Sequence, residues 1–422
     1  MSILISHPSV APFVQQAARA LYEAGALDRF ITSLRYDSRS ARQRLVCRAA
    51  RLVRFDLETQ LKRRTVTELP PEKVESHPWG EIARLVVGKI DGGGRLTDLV
   101  WERTESAFDR LVARRIRPNH QAVYGFEHSS LTAFTRAKEL GLRVVYDIPA
   151  PEPVFVQKLL ETEIRSFPEL NTPYHHHTAA RDDRRTSRRK AEWEAADLVI
   201  VASQFTRNSF SAAGRDVSKV RVVPYGAPPA LQLGDASDSS EGGPLRLIWA
   251  GSFSIRKGAH YLLDAWHQGK FGRHAQLDVF GAVSVPRKLL QPSPEGVNFG
   301  GSIPRDRLME RYRSSDALVF PTLCDGFGMV VTEAWSSGLP VITTDRAGAS
   351  DLLKPMKNGL LIKAGDPVAI VSAIEWCLSH RAELRSMRKE ALATAAAWQW
   401  ADYRRALQAV LRERGILGAL ER

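Results

Sequence analysis

In the run Asp325-Gly326-Phe327-Gly328-Met329-Val330-Val331-Thr332-Glu333, two carboxylates stand eight positions apart, with a glycine on either side of Phe327. An ionised carboxylate accepts two hydrogen bonds at once, so such a pair suits the vicinal hydroxyls of a sugar or ribose. Ala317 to Leu323 reads as a buried strand and Val331 to Ser337 as a helix, with Gly338 and Pro340 as its stop. The loop between them leaves a strand's carboxyl end, where doubly wound folds bind ligands. Gly326 and Gly328 let the backbone close on a ligand. The amides of Phe327, Gly328 and Met329, with Val330 next in line, open the helix at the positive end of its dipole. Taken alone, the pair is as readily a turn aspartate and a solvated helix glutamate.

A second loop changes that balance. Ala250-Gly251-Ser252-Phe253-Ser254-Ile255-Arg256-Lys257-Gly258 also follows a predicted strand and opens a helix, Ala259 to Trp266. Here Lys257 offers a point charge and Arg256 a planar fork, both suited to a diphosphate. A third loop, Asp345 to Asp351, follows the strand Val341 to Thr344. Three ligand-type loops on one sheet edge point to a ligand carrying phosphate and sugar.

The elements that must position these loops alternate along the chain. Short apolar runs at residues 2–6, Ala122 to Gly125, Arg143 to Tyr146 and Asp197 to Ser203 are separated by helical stretches such as Val14 to Ala24 and Ser130 to Leu140. Such alternation predicts an α/β fold with parallel sheets. At 422 residues the chain is long enough for two domains. The Gly-, Pro-, Ser- and Asp-rich stretch 226–244 reads as the linker between them. After it come strand candidates Leu245 to Ala250, Leu277 to Phe280, Val297 to Phe299, Ala317 to Leu323, Val341 to Thr344 and Leu360 to Lys363. The expected division is 1–225, the linker, 245–395, and a closing helical segment, 396–422, with apolar positions at Trp400, Tyr403, Leu407, Val410 and Leu411.

Two stretches break the regularity. Residues 42–64 place Leu45, Val46, Ala49, Leu52, Val53 and Leu57 on one helical face and Arg44, Arg48, Arg51 and Arg54 opposite. This is either a core-packed helix with a basic face or one that lies on an anionic membrane surface. Residues 174–190 hold three adjacent histidines in an arginine-rich run. Adjacent histidines diverge on any regular element, so a polar loop is expected there and no metal site.

Composition narrows the class. With 44% hydrophobic and 25% charged residues and no apolar run of spanning length, the chain reads as globular and not membrane-spanning. The opening MSILISHPSVAP reads as a buried strand, not a secretion leader, and the three cysteines, Cys47, Cys324 and Cys377, form no CxxC. Cytoplasmic placement is expected, with the cytoplasmic membrane face as a candidate surface. The net charge of +13 asks for an anionic partner: nucleic acid, a membrane surface or a phosphorylated substrate. Nucleic acid is disfavoured, because the basic residues do not interleave with aromatics.

The second half resembles the nucleotide-binding domain of family 4 retaining glycosyltransferases (glycosyl transferases group 1). The likeness is carried by "WAGSFSIRKGAHYLLDAW", "FGGSIPRDRLMERYRSSDALVFPT", "DGFGMVVTEAWSSGLPVITTDRAGASDLL" and "NGLLI". In the first half, "ADLVIVASQFTRNSF" and "VRVVPYGAP" are similar to the family's last βα unit before its hinge. The resemblance implies the GT-B fold, two facing Rossmann-like domains, with the last helix crossing back onto the first domain. It also implies a UDP- or GDP-sugar donor, a carbohydrate or lipid-linked acceptor, no other cofactor and no metal.

By the same resemblance, Asp325 and the amides after it would address the transferred sugar, Glu333 the ribose, and Lys257 the diphosphate. Asp325 is one methylene shorter than the family's usual glutamate. The family's accompanying arginine falls at Ser252, leaving Arg256 as its substitute, and Gly301-Ser302-Ile303 would border the base. Asp351 takes the acidic position after the glycine loop. A histidine often found facing the sugar would fall near Asp147, and Glu127 and His128 are further acceptor-side candidates. Ser6-His7-Pro8-Ser9 replaces the glycine-rich loop that many relatives have after the first strand. The expected reaction is transfer with retention, the leaving phosphate helping to deprotonate the acceptor, in cell-surface polysaccharide or glycolipid synthesis. The alternatives are a nucleotide-sugar epimerase of the same fold and a basic nucleic-acid-binding or scaffold protein.

Overall fold

A computed structural model describes residues 2–52, 57–62, 64–91, 94–171, 173–231 and 243–418. The first domain contains strands β1 (Ile3–Ser6), β2 (Leu27–Thr32), β3 (Val74–Ser76), β4 (Ala122–Phe126), β5 (Arg143–Ile148), β6 (Leu198–Val201) and β7 (Val220–Val222). Its helices are α1 (Pro12–Glu23), α2 (Ala41–Leu52), α3 (Leu57–Lys62), α4 (Trp79–Ile90), α5 (Arg95–Arg115), α6 (Leu131–Glu139), α7 (Pro153–Ser166), α8 (Pro173–Ala195) and α9 (Gln204–Ala212). The second domain runs β8 (Leu245–Ala250), α10 (Ala259–Gln268), β9 (Ala275–Phe280), β10 (Val297–Gly301), α11 (Arg305–Ser314), β11 (Ala317–Phe320) and α12 (Met329–Ser336). It continues with β12 (Val341–Thr344), β13 (Gly359–Ile362), α13 (Pro367–Ser379), α14 (Arg381–Ala397) and α15 (Trp400–Glu413).

Among the described residues the two sheets are ordered β3-β2-β1-β4-β5-β6-β7 and β10-β9-β8-β11-β12-β13, and neighbouring strands pair in parallel. Each order reverses direction once, between β1 and β4 and between β8 and β11. Such a reversal opens a crevice at the strands' carboxyl ends. Helices cover both faces, which is why the strands read as continuous apolar runs. Side-chain alternation sends Leu4, Val123 and Val144 into a core with Phe108 of α5, Phe134 of α6 and Trp193 of α8. It sends Ile3, Ile5 and Tyr124 the other way, into a core that continues across the domain junction to Phe327 and Trp335.

The last helix, α15, crosses back onto α1. A capping box between Gln399 and Asp402 opens it. Arg404 then donates to Glu23 and Gln16, and Gln408 to the Ala20 carbonyl. Tyr403, Leu407 and Leu411 are fully buried, each leucine contributing about 1.5–3 kcal/mol of apolar burial.

The two irregular stretches differ from expectation. Residues 174–190 form no loop but lie within the 23-residue helix α8. Its Arg, Ala, Lys and Glu content favours helix, and Arg185 and Arg188 anchor it to Glu102 and Asp109 of α5. The stretch 42–64 is divided between α2 and α3, with 53–56 outside the described residues. Cys47 and Leu61 are its buried contacts, packed with Leu34 and Tyr36. Leu45, expected on the apolar face, is 68% exposed. Most of the expected linker, 232–242, also lies outside the described residues.

Candidate active site

The loops after β8 and β11 flank the crevice of the second sheet. Both turn sharply on glycine. Gly258 (φ +78°) caps the turn carrying Lys257, and any Cβ there would strike the Pro321 carbonyl. Gly328 (φ +83°) caps α12. Lys257 reaches across to form a close ion pair with Asp325, and its ammonium lies 5.2 Å from the Phe320 ring centroid. Burial and the neighbouring Arg256 guanidinium lower the Lys257 pKa well below its usual range. An anion that replaced Asp325 as partner would favour the charged form that burial opposes.

Asp325 is itself braced. Its second carboxylate oxygen accepts from the Phe327 amide at 3.2 Å, and its own amide donates to the Arg346 carbonyl at 2.9 Å. Glu333, one turn into α12, pairs with Arg305 at 3.0 Å. Burial raises its pKa, and Arg305 opposes the shift. Together Gly251, Ser252, Lys257, Asp325, Phe327, Gly328, Met329, Val330 and Glu333 line a cleft of ≈ 280 Å³. Its other wall belongs to the first domain: Phe13, Pro149 and Tyr225. Tyr225 stacks on Phe13 (5.0 Å) and meets Phe327 edge-on (5.2 Å).

Gly326 is one of the points at which the domains touch. Its carbonyl accepts from the Ser203 hydroxyl at 2.7 Å and the Thr206 hydroxyl at 3.1 Å, all buried. A Cβ on Gly326 would run into the Pro149 carbonyl. Asp351 accepts from the Gln204 amide at 2.8 Å, and Glu163 of α7 meets both His260 (3.0 Å) and Tyr261 (2.9 Å) of α10. Asp351 thus spends its carboxylate on domain closure.

The remaining predicted residues lie elsewhere. The Arg256 guanidinium donates to the Cys324 carbonyl, behind the cleft wall. Ser302 and Ile303 follow β10 without lining the cleft. Asp147 is wholly buried in β5, where it accepts from the Tyr124 hydroxyl at 2.7 Å, and burial pushes its pKa up to about 7. His128 lines a separate cavity of ≈ 350 Å³ with Trp101 of α5 and Arg185 of α8. Burial and nearby arginines lower its pKa to about 3, so it is neutral. Glu127 is buried beside Arg189 (3.5 Å), its pKa raised to about 7. Sequence reasoning missed Phe13, Pro149 and Arg305. Only the third lies in a quoted motif, and the first two enter through the meeting of the domains.

Asp147 has a measurable consequence. Its folded-state pKa lies above the unfolded value, so the folded protein keeps a proton that the unfolded chain has lost between about pH 4 and pH 7. Its contribution to stability therefore falls as pH rises through that window. Urea unfolding of wild type and Asp147→Asn at pH 5 and pH 8 is expected to show the larger loss of stability with pH in wild type.

Known proteins resemble the chain in sequence over its second half and in fold over its whole length. Residues 244–380 match the family described as Glycosyl transferases group 1. A D-inositol 3-phosphate glycosyltransferase of Nocardia farcinica is 35% identical over 107 residues, 25% of this chain and 24% of that one. The chain spans about half the length, or less, of the curated relatives it matches. Among solved structures, a sucrose-phosphate synthase from Thermosynechococcus elongatus superposes with a TM-score of 0.66 at 17% identity, covering 98% of this chain and 99% of that one. The Anabaena protein HepE in complex with UDP-glucose gives 0.60 at 16% identity, covering 98% and 100%. Residues 244–380 therefore match the glycosyl transferases group 1 family, within a chain that has the GT-B fold of two facing Rossmann-like domains.

Proposed function

We propose that this protein transfers a sugar from a nucleoside diphosphate sugar to an acceptor hydroxyl, with retention at the anomeric carbon. The observation that carries the reading is the convergence of Lys257, Asp325, Glu333 and the first amides of α12 on one interdomain cleft. Lys257 and those amides take the diphosphate, exchanging the Asp325 partner for phosphate oxygens. Asp325, released, turns to the sugar hydroxyls, and Glu333 exchanges Arg305 for the ribose hydroxyls. UDP is the base carrier to test first, since the neighbour HepE binds UDP-glucose.

No side chain of the cleft stands as a nucleophile, so the chemistry falls to the leaving group. The bond from C1 to the phosphate oxygen breaks with its electron pair passing to the phosphate. The acceptor oxygen bonds to C1 on the same face, and its proton moves to the departing phosphate. Lys257 stabilises the charge that develops there. The acceptor approaches from the first-domain side, where Phe13, Pro149 and Tyr225 close the cleft. Its setting is the assembly of a cell-surface polysaccharide or glycolipid, at a membrane surface.

Incubation with UDP- and GDP-sugars tests the reading. Slow donor hydrolysis, and retention in a product formed on a simple sugar acceptor, are expected. Tight, salt-sensitive oligonucleotide binding with no turnover of any donor would contradict it. Within the reading, Glu333→Gln is expected to raise the donor KM about tenfold with kcat little changed, because it weakens hydrogen bonds made equally in ground and transition states. Steady-state kinetics with varied donor concentration checks this.

A further inference from the structure

Of the ten exposed large apolar side chains among the described residues, five lie between positions 45 and 96: Leu45, Trp79, Ile82, Val86 and Leu96. Three of these, Trp79, Ile82 and Val86, are spaced three and four apart on α4 and so share one face. That face is not the one α4 buries. Gly80 approaches Thr104 of α5 to 3.1 Å from its would-be Cβ, and Gly88 meets Thr97, so α5 covers one side of α4. Leu85 packs toward Cys47 and Leu61 of α2 and α3, closing a second side. Trp79, at 80% exposure, stands at the head of the side left open, with Val86, at 56%, two turns below it.

We propose that this face of the first domain docks on an anionic lipid surface, the α4 stripe entering the acyl boundary and the arginines beside it, Arg64 and Arg84, meeting the headgroups. The charge around the stripe selects that occupant. Helix α2 carries no acidic residue, and Arg44, Leu45 and Arg48 are exposed on it. The nearest acid on α4, Glu81, is already held by Arg64 and Arg84, so it offers no bare negative charge to repel anionic headgroups. A tryptophan beside a short apolar stripe, bordered by arginines, has the composition of an interfacial anchor and not of a spanning element. No helix among the described residues is long and apolar enough to cross a membrane. The inference builds on the proposed sugar transfer, to which it adds the surface that presents the acceptor.

Co-sedimentation of the full chain with vesicles tests it. Binding is expected to phosphatidylglycerol-containing vesicles over pure phosphatidylcholine, and to weaken with added salt. Trp79→Ser with Val86→Ser should lower the partition coefficient about tenfold. Arg64→Gln with Arg84→Gln should abolish the preference for anionic lipid. Donor hydrolysis by both double variants should equal that of wild type, because none of these residues lines the cleft; that rate also reports their folding. Vesicle binding unchanged in the Trp79/Val86 variant would overturn the proposal, as would a concentration-dependent dimer, lost in that variant, with no lipid binding. Vesicle binding without any donor turnover would instead remove the transferase reading and leave the docking surface standing.

Discussion

Lys257→Ala is expected to lower kcat by roughly 100- to 1000-fold, the cost of losing one positioned charge from a site where negative charge develops. The size follows from burial. In the cleft the ammonium is buried and lies beside Arg256, so its pKa is well below normal. It becomes fully effective only against a diphosphate, whose charge grows as the C1–O bond breaks. Lys257→Arg should recover little, because a planar fork does not reproduce the compact point charge that the ammonium places beside Asp325 and Phe320. A second effect accompanies the loss. Asp325 loses its partner, so the variant should also unfold at lower temperature, unlike one in which both residues are neutralised together. Steady-state kinetics and thermal unfolding of Lys257→Ala, Asp325→Asn and the double variant check both statements.

Gly326→Ala is expected to act as strongly through geometry alone. The added Cβ meets the Pro149 carbonyl, part of a backbone that cannot rotate aside. The Ser203 and Thr206 hydroxyls then lose the carbonyl that they share. The domains must part to admit one methyl group, and the first-domain wall of Phe13, Pro149 and Tyr225 withdraws from the sugar. A displacement of about 1 Å at a reacting centre costs on the order of 100-fold in rate. Donor binding, which relies on the second domain, should change far less. A fall in kcat with nearly unchanged binding of UDP, and faster amide exchange across residues 203–206, is the expected pattern. Equal losses in both would point to misfolding of the loop.

The second domain was legible because its ligand loops are local. Gly251, Lys257, Asp325 and Gly328 sit one to eight residues after the end of β8 or β11, and Glu333 one turn into the helix that follows. The spacing of strand, glycine and helix therefore placed them on one edge without knowledge of long-range packing. What the spacing could not convey was orientation. Arg256 and Lys257 are adjacent, yet the turn closed by Gly258 aims one at the cleft and the other at the Cys324 carbonyl. Gly326 looked like a residue that admits a ligand, and what it admits is the other domain.

The first domain was harder for a physical reason. Its contribution to the cleft, Phe13, Pro149 and Tyr225, comes from three segments with no shared pattern, joined only when the sheets face each other. Asp147 became a candidate only because the resemblance puts a sugar-facing histidine near it, but alternation along β5 turns it inward to Tyr124. The histidine- and arginine-rich run was misjudged because its polarity hid a good helix former. Its arginines are satisfied by acids of α5 that lie about 80 residues earlier in the chain.

The donor cleft is tested most directly by calorimetric titration of wild type and Lys257→Ala with UDP and with uridine. Wild type should bind UDP far more tightly than uridine. Lys257→Ala should lose at least tenfold in affinity for UDP while its weak affinity for uridine stays the same. Equal binding of UDP and uridine by wild type, or UDP binding that survives Lys257→Ala unchanged, would contradict a diphosphate seat at Lys257.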